Sequence, residues 1–332
     1  MDKKEVLLEE NGSRLDVFLS KYINHSRNQI EQLIKNGFVY VNNKQILKNG
    51  HKLKTGDDVS YELKDMLQVN KTDDLQNIDF DVNIIYEDDD ILVINKPSNL
   101  TVHDAPSVNE PTLVDWLKSK NYSLSTISGE LRHGIVHRLD KGTSGVMVVA
   151  KNNHAHTKLS EQLNDKSMGR YYLALIDLPL KEDMIVEKPI GRNPNNRLKM
   201  GIVQDGRYAK SAFCKLLNSH DNKYELISAK LFTGRTHQIR VHLNSINRHI
   251  LGDILYGFKG NLDIFSRVYL HAYILYLRHP TKNEYMTFTA HLPQDMQSFL
   301  DKNFNTKDIN EKISQDNIIS CFNISDQWMY CK

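Results

Sequence analysis

The sequence predicts an α+β chain of more than one domain, and three observations carry that expectation. Apolar spacing at helix period gives way to short strands within residues 12–63. An acidic stretch without periodicity follows at 64–80. Beyond it helices and strands alternate irregularly, and the later apolar segments read as strands with turns between them, which favours a mixed, largely antiparallel sheet over repeated βαβ units. At 332 residues the chain also exceeds the usual single domain of roughly 100–200 residues. The boundaries are therefore set at 12–63 for a small first domain, 64–80 for a linker, 81–300 for a large second domain and 301–332 for a polar tail.

In the first domain Leu15, Phe18, Leu19 and Tyr22 recur at i, i+3, i+4 and i+7, so residues 13–23 are expected to be an amphipathic helix with Ser13 as its N-cap. Ser26 is placed to cap a second helix over 27–36, whose Ile30, Leu33 and Ile34 share a face and which Gly37 ends in the left-handed conformation. Residues 38–41, the turn Asn42-Asn43 and residues 57–63 read as short strands around a polar loop. In the second domain the pattern gives strands at 90–95, 146–151 and 170–176, helices at 112–119 and 153–163, and strands at 224–231, 269–278 and 284–290. The tail after Asp301 is rich in Asn, Asp and Lys with few apolar anchors, and is expected to be mobile or weakly docked.

The charge is unevenly placed. Residues 64–90 hold two Lys/Arg against nine Asp/Glu, whereas residues 131–250 hold twenty against ten. A basic block of that kind suits a polyanion, because each phosphate neutralised by Lys or Arg releases counterions; a solvated basic surface reads the same way from charge alone. The longest apolar runs, 171–176 and 272–277, are six residues and cannot span a membrane. Cys214, Cys321 and Cys331 are odd in number and widely spaced, which argues against a disulfide framework or a four-cysteine zinc site. With no export signal in the polar, charged start, the cytoplasm is the expected compartment.

Chemistry concentrates in His133-Gly134-Ile135-Val136-His137-Arg138-Leu139-Asp140-Lys141-Gly142-Thr143-Ser144-Gly145, a loop feeding an apolar strand. Glycines and hydroxyl residues around a lone carboxylate supply tight turns and donors that fix Asp140. A carboxylate partly out of water needs hydrogen bonds or a cation to stay ionised. The expected source is the segment Phe232-Thr233-Gly234-Arg235-Thr236-His237-Gln238-Ile239-Arg240, where the spacing of Ile239, Leu243, Ile246 and Ile250 starts a helix near Arg235 and puts that guanidinium at its N-terminus. A purely structural Asp–Arg pair would give the same pattern. His133 and His137 mimic a zinc-binding H-x-x-x-H, but Gly134 stands where a catalytic Glu is required. His137-Arg138-Leu139-Asp140 inverts the Asp–Leu order of a kinase catalytic loop, and no glycine-rich loop precedes it.

Two resemblances follow from these residues. The run from Ser26 to Asn42 resembles the alpha-L RNA-binding module first known from ribosomal protein S-four, over about fifty residues. By position, that resemblance implicates Arg14, Arg27, Lys35 and Lys44 in RNA contact. The second domain resembles the RluA family of pseudouridine synthases. The match runs through Asn95-Lys96-Pro97 with Val102-His103, His137-Arg138-Leu139-Asp140 with Thr143-Ser144-Gly145, Arg170-Tyr171-Tyr172-Leu173-Ala174-Leu175 and Gly234-Arg235-Thr236-His237-Gln238-Ile239-Arg240. Leu251-Gly252-Asp253, Leu255-Tyr256-Gly257 and Leu270-His271-Ala272 with His279-Pro280 extend it to about residue 295. Ser98-Asn99 departs from the glycine usual after Lys-Pro, though Asn tolerates the left-handed conformation. Arg170 replaces a common lysine and Arg248-His249 a His-Pro, both at positions read as peripheral.

The resemblance implies a mixed, largely antiparallel-sheet catalytic domain behind a small α/β RNA-binding domain. It implies isomerisation of uridine to pseudouridine, with Asp140 as the essential carboxylate, Arg235 paired to it, Tyr172 stacked on the uracil and Arg138 entering the space a flipped base leaves. Such an isomerisation consumes no redox or group donor, so no cofactor and no metal are expected. The expected partner is RNA, ribosomal RNA of the large subunit first and transfer RNA second, with no membrane and no obligate protein partner. The alternatives are a catalytically idle RNA-binding or ribosome-assembly factor and, more remotely, an aspartyl-phosphate phosphotransferase using Asp140.

Overall fold

The structure is a computed structural model describing residues 2–23, 27–62, 78, 80–104, 108, 110–261, 264–323 and 329–331. The chain divides into two compact units, residues 1–75 and 76–332. Most of the stretch expected as a linker, and Ser26 with its expected capping role, lie outside the described residues.

In the first unit, β1 (Asp2–Glu5), α1 (Leu15–Tyr22), α2 (Arg27–Lys35), β2 (Val39–Val41), β3 (Lys44–Gln45) and β4 (Asp58–Tyr61) form two helices and an antiparallel sheet of order β1-β4-β2-β3. The apolar stripe read from spacing is the core: Leu15, Phe18 and Leu19 of α1 and Ile30, Leu33 and Ile34 of α2 are buried against Val39, Val41 and Val59. Gly37, at φ 78°, ends α2, and Asn42 and Asn43, at φ 51° and 63°, make the two-residue hairpin turn whose twist suits flanking strands. The cap of α1 differs from expectation. Arg14 is the N-cap and makes no side-chain cap bond, while Ser13 stands one residue further out.

Among the described residues, the second unit is built on a ten-stranded sheet. In chain order its elements are β5 (Asn83–Glu87), β6 (Ile91–Lys96), α3 (Leu113–Ser119), β7 (Ser144–Ala150), α4 (Asn153–Asp165) and β8 (Gly169–Asp177). Then come β9 (Met184–Glu187), β10 (Ile190–Arg192), β11 (Met200–Ile202), β12 (Lys210–Asn218), β13 (Tyr224–Leu231) and α5 (Gln238–Asn244). The chain ends with β14 (Leu270–Arg278), β15 (Tyr285–Thr289), α6 (Gln294–Asn303), α7 (Thr306–Lys312), α8 (Gln315–Cys321) and β16 (Met329–Cys331). The large sheet runs β16-β9-β12-β13-β8-β14-β7-β6-β5, with β15 on β14, and β10 and β11 form a separate hairpin. Among the described pairings, β7–β14 and β9–β16 are parallel and the rest antiparallel, so the sheet is mixed and largely antiparallel.

Central strands bury nearly every side chain, including all of β7 and residues 171–176 of β8, which is why these segments read as unbroken apolar runs. Thr112 caps α3 reciprocally with Asp115, and Asn152 caps α4 through the Ala155 N–H. The C-terminal segment corrects the expectation of a weakly docked tail. Phe304, Ile309, Ile313, Ile318 and Phe322 are buried in the main core, and β16 adds a strand to β9. The anchors are few, but they fall four or five residues apart, roughly one per helical turn, so one apolar stripe holds an otherwise polar segment.

Candidate active site

Asp140 opens the turn Asp140–Thr143, closed by the Thr143 N–H donating to the Asp140 carbonyl at 3.0 Å, immediately before β7. At the turn's exit Gly145 pairs with Ala272 of β14, at φ 120°; a Cβ there would lie 2.1 Å from the Ala272 carbonyl oxygen, so only glycine fits. Ala272 also pairs with Tyr172 of β8. One residue of β14 thus sets the approach of the two segments that carry Asp140 and Tyr172.

Lys96 ties this turn to another. It is fully buried at the end of β6, and its Nζ donates to the carbonyls of Pro97, Leu100 and Lys141 at 2.7, 2.9 and 3.3 Å. Burial pushes its ammonium down to about 7, with the charge of Asp140 drawing it up and that of Arg267 pressing it down. Ser98 Oγ donates to the Gly142 carbonyl at 2.9 Å, and Asn99 takes the left-handed conformation, φ 63°, that asparagine tolerates. In the sequence Lys96 stands out only as the residue before Pro97, and nothing there marks the three acceptors that converge on it.

The expected arginine partner is corrected. Arg240, not Arg235, faces the carboxylate: its Nη1 stands 3.5 Å from Asp140 Oδ2, and its Nε and Nη2 grip Asp253 at 2.7 and 2.8 Å. Arg235 instead donates through Nε to the Tyr208 carbonyl at 2.9 Å. The cause is the start of α5, three residues later than expected. Gln238 Oε1 accepts from Thr233 Oγ1 and from the Arg235 N–H, at 2.7 and 3.0 Å, and holds this segment as a turn, with His237 as N-cap at φ 56°. That turn brings His237 Nε2 to 3.9 Å from Asp140 Oδ2. Burial lowers the pKa of His237, against the pull of Asp140 and with the push of Arg240.

These groups line a cleft of about 320 Å³ whose walls include Arg138, Asp140, Arg170, Tyr172, Arg235 and Arg240. Asp140 is 17% exposed, enough to meet a ligand while remaining largely out of water. Tyr172 is buried; desolvation raises its phenol pKa, Arg170 opposes that and Asp140 adds to it, so the phenol is protonated at neutral pH. Arg170 lies over the Tyr172 ring, 5.8 Å from its centroid, and donates to His137 Nδ1, so it belongs to the cleft and not to the periphery. Arg138 is exposed at the cleft wall. In the first unit Lys35 and Lys44 are exposed, and Arg14 forms a two-pronged pair with the buried Asp16 at 2.9 Å. Arg27 starts α2, and its side chain lies outside the described residues.

Away from the cleft, Asp88, Asp90 and His279 come close enough to share a cation. Asp88 already accepts from His279 Nε2 and Lys282 Nζ, at 2.7 and 3.1 Å, and from the backbone of Asp90 and Ile91, so its oxygens are satisfied within the protein. No helix among the described residues is long and apolar enough to cross a membrane.

Residues 90–245 match the family described as RNA pseudouridylate synthase, and residues 13–59 match the S4 domain. A Helicobacter pylori protein described as an uncharacterized RNA pseudouridine synthase is 48% identical over 316 residues, 93% of this chain and 95% of its own length. The chain belongs to the RNA pseudouridine synthase family. Within that family, a Bacillus subtilis protein also described as an uncharacterized RNA pseudouridine synthase is 39% identical over 295 residues, covering 88% of this chain and 95% of its own. The ribosomal large subunit pseudouridine synthase D of Zymomonas mobilis is 36% identical over 309 residues, 90% of this chain and 96% of its own. The human RNA pseudouridylate synthase domain containing 1 shares the fold, with a TM-score of 0.57 at 24% identity over 74% of this chain and 94% of its own. As an RluA-type synthase with an N-terminal S4 domain, the chain is an RNA-binding isomerase.

Proposed function

We propose that this synthase converts specific uridines of large-subunit ribosomal RNA to pseudouridine, with Asp140 as the essential carboxylate and without a cofactor. The observation that carries the reading is a single carboxylate, largely out of water, facing Arg240 at 3.5 Å inside a cleft lined by arginines and one buried tyrosine. The bond from ribose to the glycosidic nitrogen breaks, the uracil turns, carbon 5 joins the sugar and gives up its proton, and the freed ring nitrogen takes up one. Atoms balance within the nucleotide, so positioned charge and proton handling suffice.

Arg240, whose Nη1 stands 3.5 Å from Oδ2, complements the Asp140 carboxylate and orients it. Tyr172 stacks on the uracil from β8, and its protonated phenol donates or relays a proton. A uridine leaves its stack at a cost of a few kcal/mol, and Arg138, two residues from Asp140, fills the gap. Arg235, on the cleft wall, meets a phosphate of the substrate strand. Arg14, Arg27, Lys35 and Lys44 of the S4 domain add phosphate contacts. Large-subunit RNA is favoured over transfer RNA by the Zymomonas mobilis relative named for that substrate.

Mapping pseudouridine in ribosomal and transfer RNA from cells with and without the gene tests the substrate. Loss of one or more large-subunit sites, restored by the intact gene and not by an Asp140→Asn copy, is the expected result. Losses confined to transfer RNA would reassign the substrate.

A further inference from the structure

The segment 253–256 reaches the reacting centre twice. Asp253 grips Arg240, and Tyr256 Oη lies 2.8 Å from His237 Nδ1. Both residues belong to one short turn, in which the Asp253 side chain accepts from the Tyr256 N–H. Tyr256 is buried; its carbonyl accepts from Asn244 of α5 at 2.7 Å, and its ring carries the Arg240 guanidinium 4.8 Å from its centroid.

The hydrogen-bond direction at Tyr256 follows from its second partner. The Met200 backbone N–H, which can only donate, gives its hydrogen to the same oxygen at 2.9 Å. The phenol hydrogen is then left for His237 Nδ1, its other hydrogen-bond partner among the described residues. An imidazole that accepts at Nδ1 carries its hydrogen on Nε2 when neutral, and Nε2 is the atom 3.9 Å from Asp140. The opposite tautomer would point a lone pair at a carboxylate.

We infer that Tyr256 is a positioning residue for the reaction: it holds His237 in the Nε2–H tautomer, so that an N–H faces one Asp140 oxygen and the carboxylate is turned toward the substrate. This rests on the reading of Asp140 as the essential carboxylate. Burial, which lowers the pKa of His237, keeps the ring neutral and makes its tautomer matter. Met200 belongs to the β10–β11 hairpin, so the phenol also joins that hairpin to the site.

The test uses the full chain labelled with nitrogen-15 histidine. The His237 ring signals are identified by their absence in His237→Gln, and long-range proton–nitrogen spectra report which nitrogen bears hydrogen. The expected result is Nε2–H in the wild type and a shift toward Nδ1–H in Tyr256→Phe, which keeps the ring under Arg240. Turnover of Tyr256→Phe should fall about tenfold in kcat with KM within about twofold, and adding Tyr256→Phe to His237→Gln should cost nothing further. Nδ1–H in the wild type overturns the proposal, whether or not any variant folds. So does an undiminished kcat in Tyr256→Phe, or a loss that adds fully to that of His237→Gln. A folded Asp140→Asn protein that still turns over counts against the aspartate reading itself. With Asp140→Asn inactive, an unimpaired Tyr256→Phe counts against Tyr256 alone.

Discussion

Arg240 holds Asp253 with a two-pronged grip at 2.7 and 2.8 Å and still presents Nη1 to Asp140 at 3.5 Å. One guanidinium thus links a buried structural carboxylate to the partly buried one in the cleft. Lysine offers a point charge and no fork, so it cannot serve both. Arg240→Lys is expected to lower single-turnover pseudouridine formation by about a hundredfold or more, whereas Arg235→Ala, whose side chain donates to the Tyr208 carbonyl, should lose about tenfold or less and chiefly in KM. Equal losses in kcat for the two would restore Arg235 as the partner.

Removing Asp253 strands a buried cation. Asp253→Asn is expected to destabilise the second unit by about 3 kcal/mol, read from urea unfolding, together with a fall in kcat as Arg240 swings toward Asp140. Unchanged stability would mean that Asp140 alone satisfies Arg240.

Lys96 donates from one ammonium to three carbonyls, those of Pro97, Leu100 and Lys141. Lys96→Met fills the same space without donating. It is expected to cost on the order of 2–4 kcal/mol and to lower kcat, because the Lys141 carbonyl next to Asp140 is released. A stable, fully active Lys96→Met protein would show that Ser98 and Gly145 fix the turn by themselves.

Acid should weaken the second unit through Asp88. Burial raises its carboxyl pKa, but donors from Ile91, Tyr86, Asp90 and His279 outweigh that and hold it well below the ordinary 3.8. A depressed carboxylate stabilises the fold above its unfolded pKa, and the contribution is lost as pH falls from about 4 toward the folded value. Asp88→Asn should therefore be less stable than the wild type by on the order of 2 kcal/mol at pH 7, with the gap closing below pH 4 in thermal melts. A gap independent of pH would mean that shape and not charge matters at this position.

The C-terminal helices should be indispensable to the core. Each of Ile309, Ile318 and Phe322 is buried, a placement worth about 1.5–3 kcal/mol per side chain before chain entropy is counted. Deleting 305–332 is expected to lower the melting temperature and expose dye-binding apolar surface. An unchanged melt would return this segment to the status of a tail.

Much of the architecture was legible because its signals are local. Strands such as 224–231 and 270–278 are long, apolar and bounded by turn residues, and Leu15, Phe18 and Leu19 mark their helix face by spacing alone. The edge strand β1 was missed because its Asp-Lys-Lys-Glu sequence carries the charges that protect an exposed edge and no apolar alternation. The buried anchors of α7 and α8 were too sparse to count by composition, though their spacing held the signal. In the cleft, Asp140 stands in a loop whose glycines and hydroxyl residues marked it, while Tyr172 was singled out by the family resemblance alone. The choice between Arg235 and Arg240 depended on where α5 begins, which Gln238 decides by folding back onto Thr233 and Arg235. The pairing of Tyr256 with His237 is a contact between distant turns and leaves no mark in either sequence segment.

The most direct test of the whole account is nucleoside analysis of unmodified ribosomal RNA incubated with purified wild-type protein and with Asp140→Asn. The wild type should form pseudouridine; Asp140→Asn should melt normally and bind the same RNA yet form none. Substantial conversion by the folded Asp140→Asn protein would contradict the account at its centre.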